Sequence, residues 1–381
     1  MLSPLVVPFI ILAHPAGPAA PRFGNETVLM KGHPEPFASM TITADGRFLF
    51  VLDRSHRLRI RDMGKGNWRT LGIAGPEWLA VSPDGEYIFS GGKLCRNIFR
   101  GSWGYTGIPE QIFTQQTALW STNVYLPGFF ASTEAFLEGH RYPMTTAAFS
   151  ANSKILVTAT GKGRAAGEVK VWDVRAGQEK LPRMRYTAAA FYSPRGDDDL
   201  LGLPANLRVA PGVELLALSA DGSLLATVYE SWKASELGNG TAKLWDVRRG
   251  TEQGYIRIPG QRIRALTFTP DSKLLVLAVG RKGEGKVWLW DVAAGKSVAI
   301  LRGHKEPAQA LAVSADGKYL ASACAGGEVI MWDLAKRQKL QSRAVAEVPE
   351  PAWSMAFTPD NRSLVVAGGN RRGWVKVWEM K

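Results

Sequence analysis

The stretch Ser314–Asp333, SADGKYLASACAGGEVIMWD, carries the pattern that decides the fold. Its polar turn, SADGK, lies between the apolar runs Ala310–Val313 and Tyr319–Ala323, and a third apolar run ends in Trp332 and Asp333. Turn residues between two apolar runs are typical of a β-hairpin. The stretch therefore predicts a hairpin followed by a third strand.

The same turn signature occurs seven times along the chain. Its copies are TADGR from Thr43, SPDGE from Ser82, SANSK from Ser150, SADGS from Ser219, TPDSK from Thr269, SADGK from Ser314 and TPDNR from Thr358. The last four copies follow one another at close to the length of one four-stranded propeller blade, which is about 40 to 45 residues. The longer spacings earlier in the chain predict insertions and not missing blades.

A Trp-Asp ending recurs after these hairpins. The copies are KVWD at 170–173, KLWD at 243–246, WLWD at 288–291 and IMWD at 330–333, with KVWE at 376–379 as the final copy. Gly-His occurs upstream of three turns, at 32–33, 139–140 and 303–304. On these motifs the chain resembles the WD-repeat β-propeller family, as a divergent, bacterial-style member, from about Glu26 to Lys381.

The resemblance and the seven turns imply an all-β fold, a seven-bladed β-propeller of four-stranded antiparallel blades. In this family a His, a Ser or Thr, an Asp of the following turn and the Trp form a hydrogen-bonded set. His304, Ser322 and Trp332 match that set, whereas no Asp occupies the turn Ala325–Glu328, and Gln261 replaces the His in the fifth repeat. The repeat residues expected to be structural are His33, His140, His304, Ser322, Trp172, Trp245, Trp290, Trp332 and Trp378.

The two ends of the chain are expected to close the ring together. Trp378 lies so near the C-terminus that the last blade lacks room for a fourth strand, while Glu26–Lys31 precedes the first blade. Pairing this N-terminal strand with the last blade removes an exposed sheet edge, which would otherwise favour aggregation. We therefore expect deletion of residues 24–31 to destabilise the whole domain.

One propeller domain is predicted over residues 24–381, with insertions at about 91–121 and 185–213. Residues 1–22 are expected to be a signal peptide or a disordered N-terminus. The apolar run Leu5–Ala13, followed by small residues at Gly17–Ala20, favours export to a periplasmic or extracellular location over a cytoplasmic one. No Lys or Arg precedes Arg22, which keeps the second alternative open. The run is too short to span a bilayer, so the mature protein is not expected to cross a membrane.

Motifs of catalytic and metal sites are missing from the sequence. There is no GxSxG, HExxH, CxxCH or GxxxxGK[ST]. The two cysteines, Cys95 and Cys324, form no CxxC pair and have no Cys/His spacing suited to zinc. We therefore expect no catalytic residues, no metal site and no cofactor, and we do not expect an enzyme.

Long connections predict the binding face. In a blade with strands a to d from the inside outward, the b–c and d–a connections share one face, and long loops on a rigid scaffold tend to carry binding residues. The long b–c connections are 91–121, 159–168, 229–241 and 280–286, and one d–a connection spans about 185–213. The formal net charge is +13, and the b–c connections are enriched in basic residues. The candidate partner-binding residues are Arg281, Lys282, Arg371, Arg372, Trp232 and Trp374.

Basic and aromatic residues on this face predict a non-catalytic scaffold, monomeric alone, that binds another protein through an acidic segment. Nucleic acid is the second hypothesis, because aromatic rings stack on bases and basic groups contact phosphates. A small-molecule-binding or enzymatic propeller, with the 91–121 insertion as a lid over its channel, is ranked last. The identity of the partner does not follow from the sequence.

Overall fold

The computed structural model describes residues 22–55, 57–72, 80–85, 87–90, 93–96, 133–136, 144–160, 168–180, 212–229, 240–281, 283–345 and 350–381. Of the N-terminal segment 1–22 and the predicted insertions at about 91–121 and 185–213, only residues 22, 93–96 and 212–213 are among them. The signal-peptide alternative and the course of both insertions therefore lie outside the described residues.

The chain forms strands grouped into four-stranded antiparallel sheets. β1 (Phe23–His33) is followed by six blades, each made of four consecutive strands. The first three blades comprise β2 (Phe37–Ile42), β3 (Phe48–Asp53), β4 (Arg57–Asp62) and β5 (Trp68–Gly72); β6 (Ala80–Val81), β7 (Tyr87–Ser90), β8 (Lys93–Arg96) and β9 (Thr133–Phe136); and β10 (Met144–Phe149), β11 (Ile155–Thr160), β12 (Val169–Asp173) and β13 (Gln178–Glu179). The next three comprise β14 (Val213–Leu218), β15 (Leu224–Tyr229), β16 (Thr241–Asp246) and β17 (Thr251–Arg257); β18 (Arg262–Phe268), β19 (Leu274–Arg281), β20 (Glu284–Asp291) and β21 (Lys296–His304); and β22 (Ala308–Val313), β23 (Tyr319–Cys324), β24 (Glu328–Asp333) and β25 (Gln338–Ala344).

A closing sheet combines the two ends of the described chain. β26 (Ala352–Phe357), β27 (Ser363–Gly368) and β28 (Gly373–Met380) pair with β1 in the order β1-β28-β27-β26. From the second blade to the closing sheet the first strands of successive sheets contact one another, and β26 contacts β2 of the first blade. The predictions of an all-β propeller of four-stranded antiparallel blades, and of a ring closed by an N-terminal strand, are confirmed.

Each of the seven turn signatures is held by one repeated hydrogen-bond pattern. The Ser or Thr hydroxyl donates to the Asp or Asn side chain two residues later, at 2.5–2.7 Å, and accepts the backbone N–H five residues later. The hydroxyl residues are Thr43, Ser82, Ser150, Ser219, Thr269, Ser314 and Thr358. The signature is therefore a local device that joins the first two strands of each sheet.

The fourth residue of each signature has a positive φ, which favours glycine. Three copies have Ser153, Ser272 or Asn361 there instead, and each of these side chains bonds to the turn of the preceding sheet. Ser153 Oγ accepts the N–H of Asp84 at 3.1 Å, and Asn361 Oδ1 accepts the N–H of Ala315 at 2.7 Å. The contact between neighbouring sheets thus accounts for a residue type that is otherwise disfavoured in this conformation.

The recurring tryptophans of the third strands lie in apolar layers between neighbouring sheets. Trp172, Trp245, Trp332 and Trp378 are at most 4% exposed, and each belongs to a cluster with residues of the preceding sheet. Trp290 is half-buried beside the core of the fourth and fifth blades. This packing is the main apolar contribution to stacking of the blades.

β1 occupies the place of a fourth strand in the closing sheet, and Glu26 shows this most clearly. In two blades a Glu opposite the Trp pairs with the Lys two residues before that Trp, as Lys170–Glu179 and Lys243–Glu252, both at 2.7 Å. Glu26 lies opposite Trp378 and pairs with Lys376 at the same distance. Burial would raise the pKa of Glu26, but hydrogen bonds from Lys376 and Trp378 lower it below the ordinary value.

Candidate functional site

The b–c turns and the segments that precede the first strands are joined on one face. In three sheets the first residue after the second strand donates its N–H to the carbonyl of a proline that directly precedes the first strand. The bonds are Arg54 to Pro36 at 3.0 Å, Ala325 to Pro307 at 3.2 Å and Gly369 to Pro351 at 3.0 Å. These bonds hold each b–c turn against the segment that leads into the innermost strand. The predicted binding face is therefore a rigid rim wherever it is described.

A β-bulge begins almost every innermost strand on this face. In six first strands one residue is skipped in the pairing with the second strand. The skipped residues are Ala38, Thr145, Glu214, Arg264, Gln309 and Trp353. Because bulges interrupt a ladder and redirect side chains, these positions mark where the innermost strands depart from regular pairing on this face. The sequence pattern did not identify them, because the order of apolar and polar residues does not show where the pairing skips a residue.

One arginine stacks on a tryptophan where the closing sheet meets the first blade, beside a turn that carries two more arginines. The Arg54 guanidinium carbon is 4.9 Å from the centre of the Trp353 ring, a cation–π contact. Trp353 is half-buried and donates from Nε1 to the Gly369 carbonyl at 2.8 Å, in the turn that carries the exposed Arg371 and Arg372. We call Arg54, Trp353, Arg371 and Arg372 the basic corner.

The predicted partner-binding residues are placed in three different ways. Arg371 and Arg372 are exposed on the rim. Arg281 is also exposed, but its Nε lies 3.7 Å from Glu284, which in addition pairs with Lys286 at 2.7 Å and Arg302 at 3.5 Å. Lys282 and Trp232 lie outside the described residues, as does the repeat residue His140.

Trp374, one of the candidate partner-binding residues, does not present its ring at the surface. Trp374 is 5% exposed and belongs to the core cluster that also contains Val345 and Trp378. Its position on β28 explains the burial, because residues four apart on a strand share a face. Trp374 therefore points to the same side as Trp378. The spacing to Trp378 was the signal that could have excluded it, and Trp353 is the aromatic residue that the structure places at the rim.

A buried polar set joins the last strand of the fifth blade to two strands of the sixth blade. His304 Nε2 and Trp332 Nε1 each lie 2.7 Å from Ser322 Oγ. His304 Nδ1 faces Glu328 Oε2 at 3.7 Å. Burial lowers the pKa of His304 to about 4, although Glu328 acts in the opposite direction. The imidazole is therefore neutral at pH 7.

Related blades keep parts of this set. The Trp172 and Trp245 indoles donate to Thr158 and Thr227 at 2.7 and 2.9 Å. In the fifth blade Leu277 takes that position, and Trp290 Nε1 has no hydrogen-bond partner. Between the closing sheet and the first blade, His33 Nε2 faces Asp53 Oδ2 at 3.6 Å.

The His304 environment predicts a loss of stability in mild acid. The unfolded chain takes up a proton near pH 6.5, whereas the folded chain resists protonation until about pH 4. The contribution of neutral His304 to the free energy of unfolding is complete above pH 6.5. It is lost as the pH falls from 6.5 to about 4, and the loss is about 3 kcal/mol at most. Urea unfolding between pH 7.5 and 4.5 measures it. His304→Gln, which copies Gln261 of the fifth repeat, should reduce the dependence of the free energy of unfolding on pH. An equal pH dependence in the variant and the wild type would contradict the assignment.

Comparison with known families agrees with this architecture. The family model described as "WD domain, G-beta repeat" matches residues 132–173 and 295–333. The second match contains His304, Ser322 and Trp332, and the first contains Trp172. No curated protein matches the chain. Among the described residues, no helix is both long and apolar enough to cross a membrane.

Proposed function

Because this chain is a β-propeller built from WD repeats, we propose that it is a non-catalytic platform that binds an acidic segment of another protein at the basic corner. The observation that carries the proposal is the Arg54–Trp353 contact beside the exposed Arg371 and Arg372. Tryptophan and arginine are the residues most enriched among those that dominate binding energy at interfaces. Arginine also suits carboxylates, because its planar guanidinium donates two parallel hydrogen bonds.

The charges of the rim favour the basic corner over the Arg281 turn. Glu284 already neutralises part of the charge around Arg281, whereas Arg371 and Arg372 belong to none of the ion pairs formed between described residues. An unpaired guanidinium on a rigid turn loses little on binding a carboxylate. We therefore assign Arg281 a lesser role in partner binding than its sequence position suggested.

Perturbed carboxylates in the described residues support a structural role and not a catalytic one. Hydrogen bonds within the turn signatures lower the pKa of Asp221 to about 2 and also lower the pKa of Asp271 and Asp316, although burial acts in the opposite direction. These groups lie at the a–b turns, on the face opposite the basic corner. Their perturbation follows from their role in the hairpins, which weakens any inference of catalysis from pKa alone.

We infer that the closing sheet and the six consecutive-strand blades form one ring of seven blades. The β6–β9 sheet is bonded to both neighbours through its turn: Ala44 N–H donates to Pro83 O at 2.6 Å, and Asp84 N–H donates to Ser153 Oγ at 3.1 Å. The β2 strand contacts β26 on the other side of the first blade. Such a ring gives the basic corner a fixed position at one junction of the rim.

Charge reversal at the basic corner is expected to abolish acidic-peptide binding. A random peptide library selected on the protein should enrich Asp- and Glu-containing sequences, and the selected peptide should lose about 10- to 100-fold in affinity for Arg371→Glu/Arg372→Glu. Fluorescence anisotropy with the labelled peptide measures this, and the melting temperature should not change because both side chains are exposed. Arg54→Glu and Trp353→Ala should each show a smaller loss.

The matched control is Lys154→Glu/Lys296→Glu. Both lysines are exposed and lie on turns of the opposite face, so net charge changes equally while the rim stays intact. Equal loss of affinity in both double variants, or a library without acidic enrichment, would contradict the proposal. Tight binding of a labelled oligothymidine that falls steeply with salt would instead support the nucleic-acid alternative.

A further inference from the structure

A second cluster of chemistry-bearing residues lies at the rim end of the sixth blade, away from the basic corner. His304 ends β21, Cys324 ends β23 and Glu328 begins β24. Each offers one donor atom, and these atoms lie within 4.8 Å of one another, with His304 and Cys324 buried. We propose that His304, Cys324 and Glu328 form a zinc site.

The spacing of the donors is close to that of a zinc centre. Zinc bonds of about 2.0–2.3 Å in tetrahedral geometry place neighbouring ligand atoms about 3.3–3.8 Å apart. His304 Nδ1 and Glu328 Oε2 are 3.7 Å apart, already within that range and too far for a hydrogen bond. With one sulfur ligand the largest required spacing is about 3.5 Å, so contraction of the group by about 1.3 Å at most is sufficient.

The orientation of His304 is the observation that points to a ligand. Its side chain is 1% exposed, and Nδ1 has no hydrogen-bond partner while it faces the carboxylate. An unsatisfied buried nitrogen is costly and calls for an explanation. The other ring nitrogen is held by Ser322 Oγ at 2.7 Å. A metal-binding His is normally oriented by such a hydrogen bond from its second nitrogen.

The groups around the cluster leave the ligand atoms usable. Lys339 Nζ lies 3.6 Å from Glu328 Oε1, the oxygen that does not face His304. It therefore holds the carboxylate without occupying Oε2. A water molecule is suited to the fourth position.

The donor set favours zinc over other common ions. One imidazole nitrogen, one thiolate and one carboxylate match the ligands that zinc takes in proteins. Calcium and magnesium prefer sites made of oxygen alone. On binding, the Cys324 thiol gives its proton to solvent and becomes the thiolate ligand, while the neutral His304 imidazole gives up none at Nδ1 if Nε2 carries its hydrogen.

Substitution of Cys324 distinguishes a zinc site from a hydrogen-bonded set that only stabilises the fold. The bonds of Ser322 to His304 and Trp332 form without any contribution from the thiol. A structural set alone requires no thiolate at Cys324, whose sulfur accepts backbone N–H bonds from Glu328 and Gly326. Replacement of its sulfur by oxygen should then change metal affinity far more than stability.

The test is zinc titration of the full-length protein after dialysis against EDTA. Calorimetry should give one zinc ion per chain, and saturating zinc should raise the melting temperature by about 3 °C or more. Cys324→Ser and Glu328→Gln should each weaken binding by more than about 100-fold. Cys95→Ser, which replaces the other cysteine of the chain, is the matched control and should bind as the wild type does.

Cobalt provides a readout that does not depend on the variants folding. The Co²⁺-loaded wild-type protein should show a thiolate-to-metal charge-transfer band, and Zn²⁺ should displace it. Absence of that band, absence of stoichiometric zinc binding, or wild-type zinc affinity in Cys324→Ser would each overturn the proposal.

Discussion

Deleting residues 24–31 is expected to destabilise the propeller by more than about 4 kcal/mol or to prevent folding. The deletion removes most of β1, exposes the edge of β28 and uncovers Trp378, which is fully buried. It also removes Glu26, whose carboxylate accepts from Trp378 Nε1 at 2.8 Å and pairs with Lys376 at 2.7 Å and Arg343 at 3.2 Å. Thermal and urea unfolding of the deletion variant measure the effect.

A single substitution tests the same closure more gently. Glu26→Ala leaves the Trp378 indole N–H without its acceptor and leaves the Lys376 ammonium with the Val345 carbonyl but no carboxylate, which should cost about 2 kcal/mol. Glu379→Ala, on the exposed side of the neighbouring β28 strand, is the matched control and should cost less than about 0.5 kcal/mol. Equal, small effects of both substitutions, together with an unchanged melting temperature in the deletion variant, would refute closure by β1.

Replacement of Trp332 is expected to have the second largest effect on stability. Trp332 is 2% exposed, packs between the fifth and sixth blades and donates to Ser322. Trp332→Ala should cost about 3 to 5 kcal/mol through the cavity that it leaves. The fluorescence and circular dichroism unfolding curves should both shift, because the blades unfold together.

Trp290 provides an internal control for the hydrogen bond of Trp332. Trp332→Phe removes the indole N–H that Ser322 accepts, whereas Trp290→Phe removes an N–H that has no partner. The first substitution should therefore cost about 1 kcal/mol more than the second. If Trp290→Phe were the more destabilising of the two, the buried set around Ser322 would not contribute as described.

Local patterns along the sequence were sufficient for most of the fold. The turn signature is visible because its hydroxyl, carboxylate and glycine act within six residues, and the structure shows the same bonds in all seven copies. Closure by β1 also followed, since an unpaired strand at each end of a repeat array has one natural partner. Even the Lys376–Glu26 pair has a sequence signal, because Lys170 and Lys243 precede their Trp residues by the same interval.

The candidate site depended on contacts that the sequence does not reveal. Arg54 and Trp353 are almost three hundred residues apart and meet only because the ring closes. Trp353 also lies at a bulge, where strict alternation of inward and outward side chains fails. Alternation was, in contrast, the rule that should have been applied to Trp374.

The zinc cluster escaped prediction for a related reason. His304, Cys324 and Glu328 come from three different strand ends, and their spacing resembles no short metal motif. The lack of an Asp in the turn Ala325–Glu328 was visible in the sequence. That Glu328 faces His304 required the register of β24 against its neighbours.

The central claim, that the rim at the basic corner binds an acidic segment, is tested most directly by photo-cross-linking. The selected acidic peptide, carrying a photoreactive group at either end, is irradiated with the full-length protein, and the adducts are mapped by mass spectrometry. The account predicts adducts within residues 53–55, 350–354 and 368–373, which are lost with Arg371→Glu/Arg372→Glu. Adducts concentrated at the a–b turns, such as those beginning at Ser219 or Ser314, would contradict it.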